Sequence, residues 1–96
     1  MNKIVWTDVA VTDLGNIREY ISRDSDVYAR ASLLVIFNSV EQLVKFPRSG
    51  RIVPEFKKTN TRELLVGMYR IIYDVTGSTV RILTIIHGSR LLKKLH

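Results

Sequence analysis

The stretch from Met68 to His87 is dominated by aliphatic, β-branched and aromatic residues, and one turn signal, Thr76-Gly77-Ser78-Thr79, divides it. That pattern specifies two antiparallel strands, Met68 to Val75 and Val80 to His87, and the rest of the chain has to cover one of their faces. Closing the turn at Gly77-Ser78 pairs Val75 with Val80, Tyr73 with Ile82 and Arg70 with Ile85. Tyr69, Ile71, Tyr73, Val75, Val80, Ile82, Thr84 and Ile86 then share the face that packs on the helices. Arg70, Ile72, Asp74, Arg81, Leu83, Ile85 and His87 share the other. Asp74 stands opposite Arg81, an ordinary cross-strand ion pair. His87 falls opposite Met68 and diagonal to Arg70, so a guanidinium and an imidazole converge away from the helices. A strand arginine is either paired or meets an anion from outside. Glu63, on a neighbouring strand running from Arg62 to Val66, is the candidate partner.

Upstream, Lys3 to Trp6 reads as a short strand, with Thr7 or Asp8 as a helix N-cap. Ala10, Leu14, Ile17 and Ile21 recur at helical spacing as far as the Asp24-Ser25-Asp26 break. Asp26 caps a second helix whose stripe is Leu33, Ile36, Val40 and Leu43, widened by Phe37 and Val44 and ended by Pro47. Arg48 to Thr61 shows neither periodicity and holds four bases, Arg48, Arg51, Lys57 and Lys58; irregular connections of this length are often functional or mobile. Gly67 marks a turn or bulge before the hairpin. The fold expected is α+β: an N-terminal strand and a helical hairpin packed on one face of a small, mainly antiparallel sheet.

The chain has 96 residues, which suits one domain spanning 1–96. It has no cysteine, and its two separated histidines make no convincing metal site. No run is long enough to cross a bilayer and no signal-peptide pattern opens the chain, so a cytoplasmic protein without membrane contact is expected. The net charge of +6 is uneven. Residues 45–96 carry 11 basic and 3 acidic side chains, while residues 1–44 carry 4 and 6. Such clustering suits a polyanionic partner, either nucleic acid or an acidic protein segment.

Taken in order, Pro47-x-x-Gly50-Arg51, Val53-Pro54-Glu55, Arg62-Glu63-Leu64, Gly67-x-Tyr69-Arg70-Ile71-x-Tyr73 and Ile85-x-His87-Gly88-x-Arg90 resemble the RelE/ParE superfamily of bacterial toxins. The resemblance covers essentially the whole chain. It implies the toxin half of a type II toxin–antitoxin pair, neutralised by a cognate antitoxin with an acidic or amphipathic segment. RelE-like members cut messenger RNA in the ribosomal A site without metal or cofactor, and ParE-like members inhibit DNA gyrase without known catalysis. Arg70 and Arg90 match arginines of the RNA-cutting members, whereas the His-Gly-x-Arg ending is shared with ParE-like chains, and the late tyrosine of many RNA-cutting relatives is missing.

The strand arginine makes a ribosome-dependent messenger RNA endonuclease the first expectation, with gyrase inhibition the alternative. In the first case Arg70 and Arg90 would stabilise charge on the phosphorane, and His87 would transfer protons. Arg51, Lys57, Lys58 and Arg62 would hold the RNA backbone. Glu63 is a possible base, Glu55 a weaker one, and the terminal His96 a distant candidate for proton transfer. Tyr69 and Tyr73 face the helix side and are expected in the core, as is Trp6.

Overall fold

The computed structural model describes residues 2–88, in the order β1 (Lys3–Trp6), α1 (Asp8–Ser22), α2 (Asp26–Glu41), β2 (Arg51–Ile52), β3 (Thr61–Val66), β4 (Tyr69–Thr76) and β5 (Thr79–His87). The α+β architecture is the one expected. The five strands form one sheet, ordered β1-β5-β4-β3-β2, with β1 parallel to β5 and the other neighbours antiparallel. Both tight hairpins place a glycine first with positive φ, Gly67 at +57° and Gly77 at +59°. That is the glycine-first pattern of a II′ turn, whose twist matches the flanking strands.

Local chemistry accounts for the helix boundaries. The Thr7 hydroxyl accepts from the Ala10 N–H and starts α1. Ser25, not Asp26, caps α2 through the Tyr28 N–H. Asp26 takes the first helical position, where its charge suits the positive end of the helix dipole. After Glu41 the helix tightens into a 3₁₀ turn, Gln42–Val44, which buries Leu43 before the chain reaches Pro47. Gly15, inside α1, has open space where a Cβ would stand. We expect Gly15→Ala to raise stability by about 0.5–1 kcal/mol, read as a higher urea midpoint at unchanged slope.

The two helices pack on one sheet face. Their core joins Ala10, Ile17, Ile36, Val40 and Leu43 to Ile71, Tyr73, Val75, Val80, Ile82 and Ile85. Trp6 meets Phe37 edge to face at 5.4 Å and lies against this core. A second, smaller core covers the far face, where Val53 and Phe56 from the β2–β3 connection pack on Ile72 and Leu83. The irregular segment is therefore a lid fixed to the sheet, and Arg51-Ile52 within it forms an edge strand.

The hairpin register holds as expected as far as Ile82, then shifts. A β-bulge at Leu83 leaves Ile72 opposite Thr84, Ile71 opposite Ile85, Arg70 opposite Ile86 and Tyr69 opposite His87. One extra residue exchanges the faces of everything after it. Ile85 therefore enters the helix-side core instead of lining the far face, and His87 follows it. Side chains from the first helix and its N-cap hold the bulge. The Thr7 hydroxyl lies 2.7 Å from the Ile82 carbonyl and 3.1 Å from that of Leu83. Asp13 accepts from the Ile85 N–H at 2.9 Å and from the Thr84 hydroxyl. These bonds satisfy strand-edge groups beyond the reach of β1, which ends at Trp6 beside Ile82.

Candidate functional site

The far face of β2, β3 and β4 carries Arg51, Glu63 and Arg70, and the turn after Val53 lowers Glu55 onto them. Leu65 stands directly opposite Arg70, with Glu63 opposite Ile72 and so diagonal to Arg70 on the same face. The Arg70 guanidinium binds a Glu63 oxygen through Nε at 2.7 Å and Nη2 at 2.6 Å. It binds both oxygens of Glu55, at 2.7 and 2.8 Å. Arg51 donates to the second Glu63 oxygen from the edge strand. The cluster is neutral in sum and largely dry: the Arg70 side chain is 6% exposed, Glu63 is fully buried and Glu55 is 18% exposed. Bonding to Glu55 raises the Arg70 pKa against the opposing effect of burial, and Glu63 adds to the rise. Arg70 therefore stays charged at any working pH.

Arg62 is the second organising cation. Half-buried, it braces the connection. Its Nη1 donates to the carbonyls of Gly50 at 2.9 Å and Arg48 at 3.2 Å, and its Nε to that of Thr59 at 3.2 Å. The two ends of the β2–β3 segment are thereby drawn together. Tyr73 reaches the same place from the core, where its hydroxyl accepts from the Gly50 N–H at 2.9 Å. Burial pushes the Tyr73 phenol up, while the Gly50 N–H and the nearby Arg62 and Arg48 oppose the shift.

A depression of about 630 Å³ lies across the Gly67–Met68 end of the sheet. Arg51, Glu55 and Arg70 line it from the far face, Tyr69 and His87 from the other, with the exposed Leu65 and Met68 at its rim. Within it His87 meets the Tyr69 ring edge to face at 6.2 Å. Its expected place diagonal to Arg70 on one face is thus corrected by the bulge. Lys57 and Lys58 are exposed and stand away from the depression, and Arg90 and His96 lie outside the described residues. Among the described residues no group of histidine, cysteine or carboxylate side chains could hold a metal ion. No described helix is long and apolar enough to cross a membrane.

Glu55 as a two-pronged partner of Arg70 was not foreseen, although composition held a signal. Residues 45–88 contain only three acids, Glu55, Glu63 and Asp74, against eight bases. Each of the three is taken by an arginine, the last by Arg81 at 2.8 Å as expected.

A family model described as the ParE toxin of type II toxin–antitoxin system, parDE, matches residues 4–92. Toxin RelE2 of Caulobacter vibrioides is 35% identical over 92 residues, which span 95% of this chain and all of that one. A solved chain of the chromosomal ParDE TA system from P. aeruginosa has a TM-score of 0.76 at 23% identity. That alignment covers 91% of this chain and 96% of the other, and it bears on the fold. With the family model spanning nearly its whole length, the chain belongs to the ParE toxin family of type II toxin–antitoxin systems.

Proposed function

We propose that this toxin acts by binding rather than by cutting RNA, with DNA gyrase as its target. The supporting observation is the ion cluster. A cation that stabilises a phosphorane must turn its donors toward the non-bridging oxygens. The donors of Arg70 are turned to Glu55 and Glu63, and the two carboxylates would repel an approaching phosphate. Glu63 and Glu55 are equally engaged, so neither is poised as a base. His87 points to Tyr69 on the opposite sheet parity. The same residues suit a rigid scaffold for a binding surface.

A cognate antitoxin is the neutralising partner in this reading. The outer face of α2 suits an amphipathic antitoxin segment. Val27, Tyr28, Leu34 and Val35 repeat there at a spacing of seven and are 54–80% exposed.

Ribosome-dependent cleavage of messenger RNA is the second reading. It is favoured by the depression that gathers Arg51, Arg70 and His87, and a relative carries the name RelE2. Two assays on one preparation decide between them. Purified toxin added to gyrase with relaxed plasmid should abolish supercoiling. The same toxin in a reconstituted translation reaction should leave messenger RNA ends unchanged by primer extension. Cuts at A-site codons that require ribosomes, with gyrase unaffected, would reverse the choice.

A further inference from the structure

We propose that the β2–β3 connection, with Arg48, Lys57 and Lys58 at its surface, is a phosphate-binding surface for duplex DNA. The inference deepens the gyrase reading, since gyrase holds a duplex, but it stands on separate observations.

The first is charge. Among the described residues four ion pairs form, and none includes Lys45, Arg48, Lys57 or Lys58. All four are exposed. The acid within the segment, Glu55, is turned inward onto Arg70. The positive field of this part of the molecule is therefore not cancelled locally.

The second is placement. Arg62 ties the carbonyls of Arg48 and Gly50 to that of Thr59, so that Arg48 and the Lys57-Lys58 pair, 9 residues apart in sequence, are gathered at one end of the sheet. The segment is also held down. Val53 is fully buried, Phe56 packs in the second core, and the Lys57 N–H donates to the Val53 carbonyl at 2.9 Å. The Val75 N–H donates to the Asn60 carbonyl at 2.9 Å. Lys57 itself adopts a left-handed backbone, φ 56°, which lysine rarely takes and which the surrounding bonds impose. The backbone of such a surface loses little conformational freedom on binding.

The third is the kind of contact on offer. Phe56 packs against the second core and, among the described residues, Phe46 is the one strongly exposed ring beside these cations, short of the succession of rings on which unpaired bases stack. Residues 48–60 present guanidinium and ammonium groups, which read phosphate regardless of base sequence. That combination fits a duplex backbone better than single-stranded RNA.

The test is fluorescence anisotropy of the full chain with a short labelled duplex across a salt series. Each phosphate contact adds about 0.9 to the slope of log affinity against log salt, so three to four contacts predict a slope of roughly −2.7 to −3.6. The variant Arg48→Gln, Lys57→Asn, Lys58→Gln keeps a residue tolerant of the left-handed backbone at 57. It should melt like the wild type, bind about tenfold or more weakly and lose most of the slope. Absent or salt-independent binding, or wild-type affinity in a folded triple variant, overturns the inference. So does tighter binding of single-stranded RNA, or of polyglutamate, which would assign the surface to RNA or to an acidic protein. Supercoiling measured on the same samples separates the two readings. Duplex binding with normal gyrase activity defeats the gyrase target alone, and inhibited gyrase without duplex binding defeats this surface alone.

Discussion

Arg70→Ala is expected to cost about 3–5 kcal/mol of stability, because it strands a buried carboxylate. Glu63 is fully buried and keeps only Arg51, whose own side chain is 57% exposed. Glu55, at 18% exposure, would have to turn outward and pull on the segment that carries Val53 and Phe56. In a domain of this size the thermal midpoint should fall by more than about 12 °C. Urea denaturation of wild type, Arg70→Ala and the pair Arg70→Met with Glu63→Leu would measure it. The paired replacement should regain most of the loss, since apolar side chains of similar volume often match or exceed a buried ion pair. An Arg70→Ala protein as stable as wild type would mean that the cluster carries no stability. The result also conditions any toxicity assay: loss of activity in Arg70→Ala implies catalysis only if the protein remains folded.

Gly50→Ala should be nearly as damaging, for a reason of space alone. A Cβ there would stand 2.5 Å from the Tyr73 hydroxyl, 2.6 Å from the Glu63 carbonyl and 2.9 Å from the Tyr73 ring. Neither neighbour can yield. Tyr73 is fully buried in the helix-side core, and the Glu63 carbonyl belongs to the backbone of β3. Relief requires β2 to leave the sheet, which breaks the Gly50–Tyr73 bond and loosens the Arg62 brace. Overpacking with loss of a buried hydrogen bond sets the cost at about 3 kcal/mol. Adding Tyr73→Phe removes the nearest clash and leaves the carbonyl in the way, so it should not rescue. Full rescue in a denaturation series would place the obstacle at the hydroxyl.

Much of this fold was legible because its signals are local. Alanine and isoleucine spacing marked α1, two glycine turns marked the hairpins, and the Asp74–Arg81 pair followed from register. The bulge at Leu83 was not legible. It depends on Thr7 and Asp13, which lie more than 70 residues earlier in sequence and meet the strand only when β1 pairs with β5. The error it caused was confined to residues after 83 and displaced His87. Glu55 was obscured for a similar reason. The β2–β3 connection lacks periodicity, yet Val53 and Phe56 anchor it by tertiary contacts that no spacing rule describes. Of the candidate site, the inward pairing of Arg70 with Glu63 was readable, and the second carboxylate on Arg70, Glu55, was not.

The pairing of β1 with β5 bears on how the protein is made. Residues 3–6 find their sheet neighbours only at residues 79–82, so β1 must wait for β5. Loop closure over that separation is slow compared with helix formation. While the ribosome is still adding β5, the helical hairpin lacks the part of its core that Val80, Ile82 and Ile85 supply. Assembly of this domain is thereby a late event, which waits for residues 79–82. An antitoxin already present would meet either an unfinished hairpin or a finished toxin, and seldom an intermediate between them.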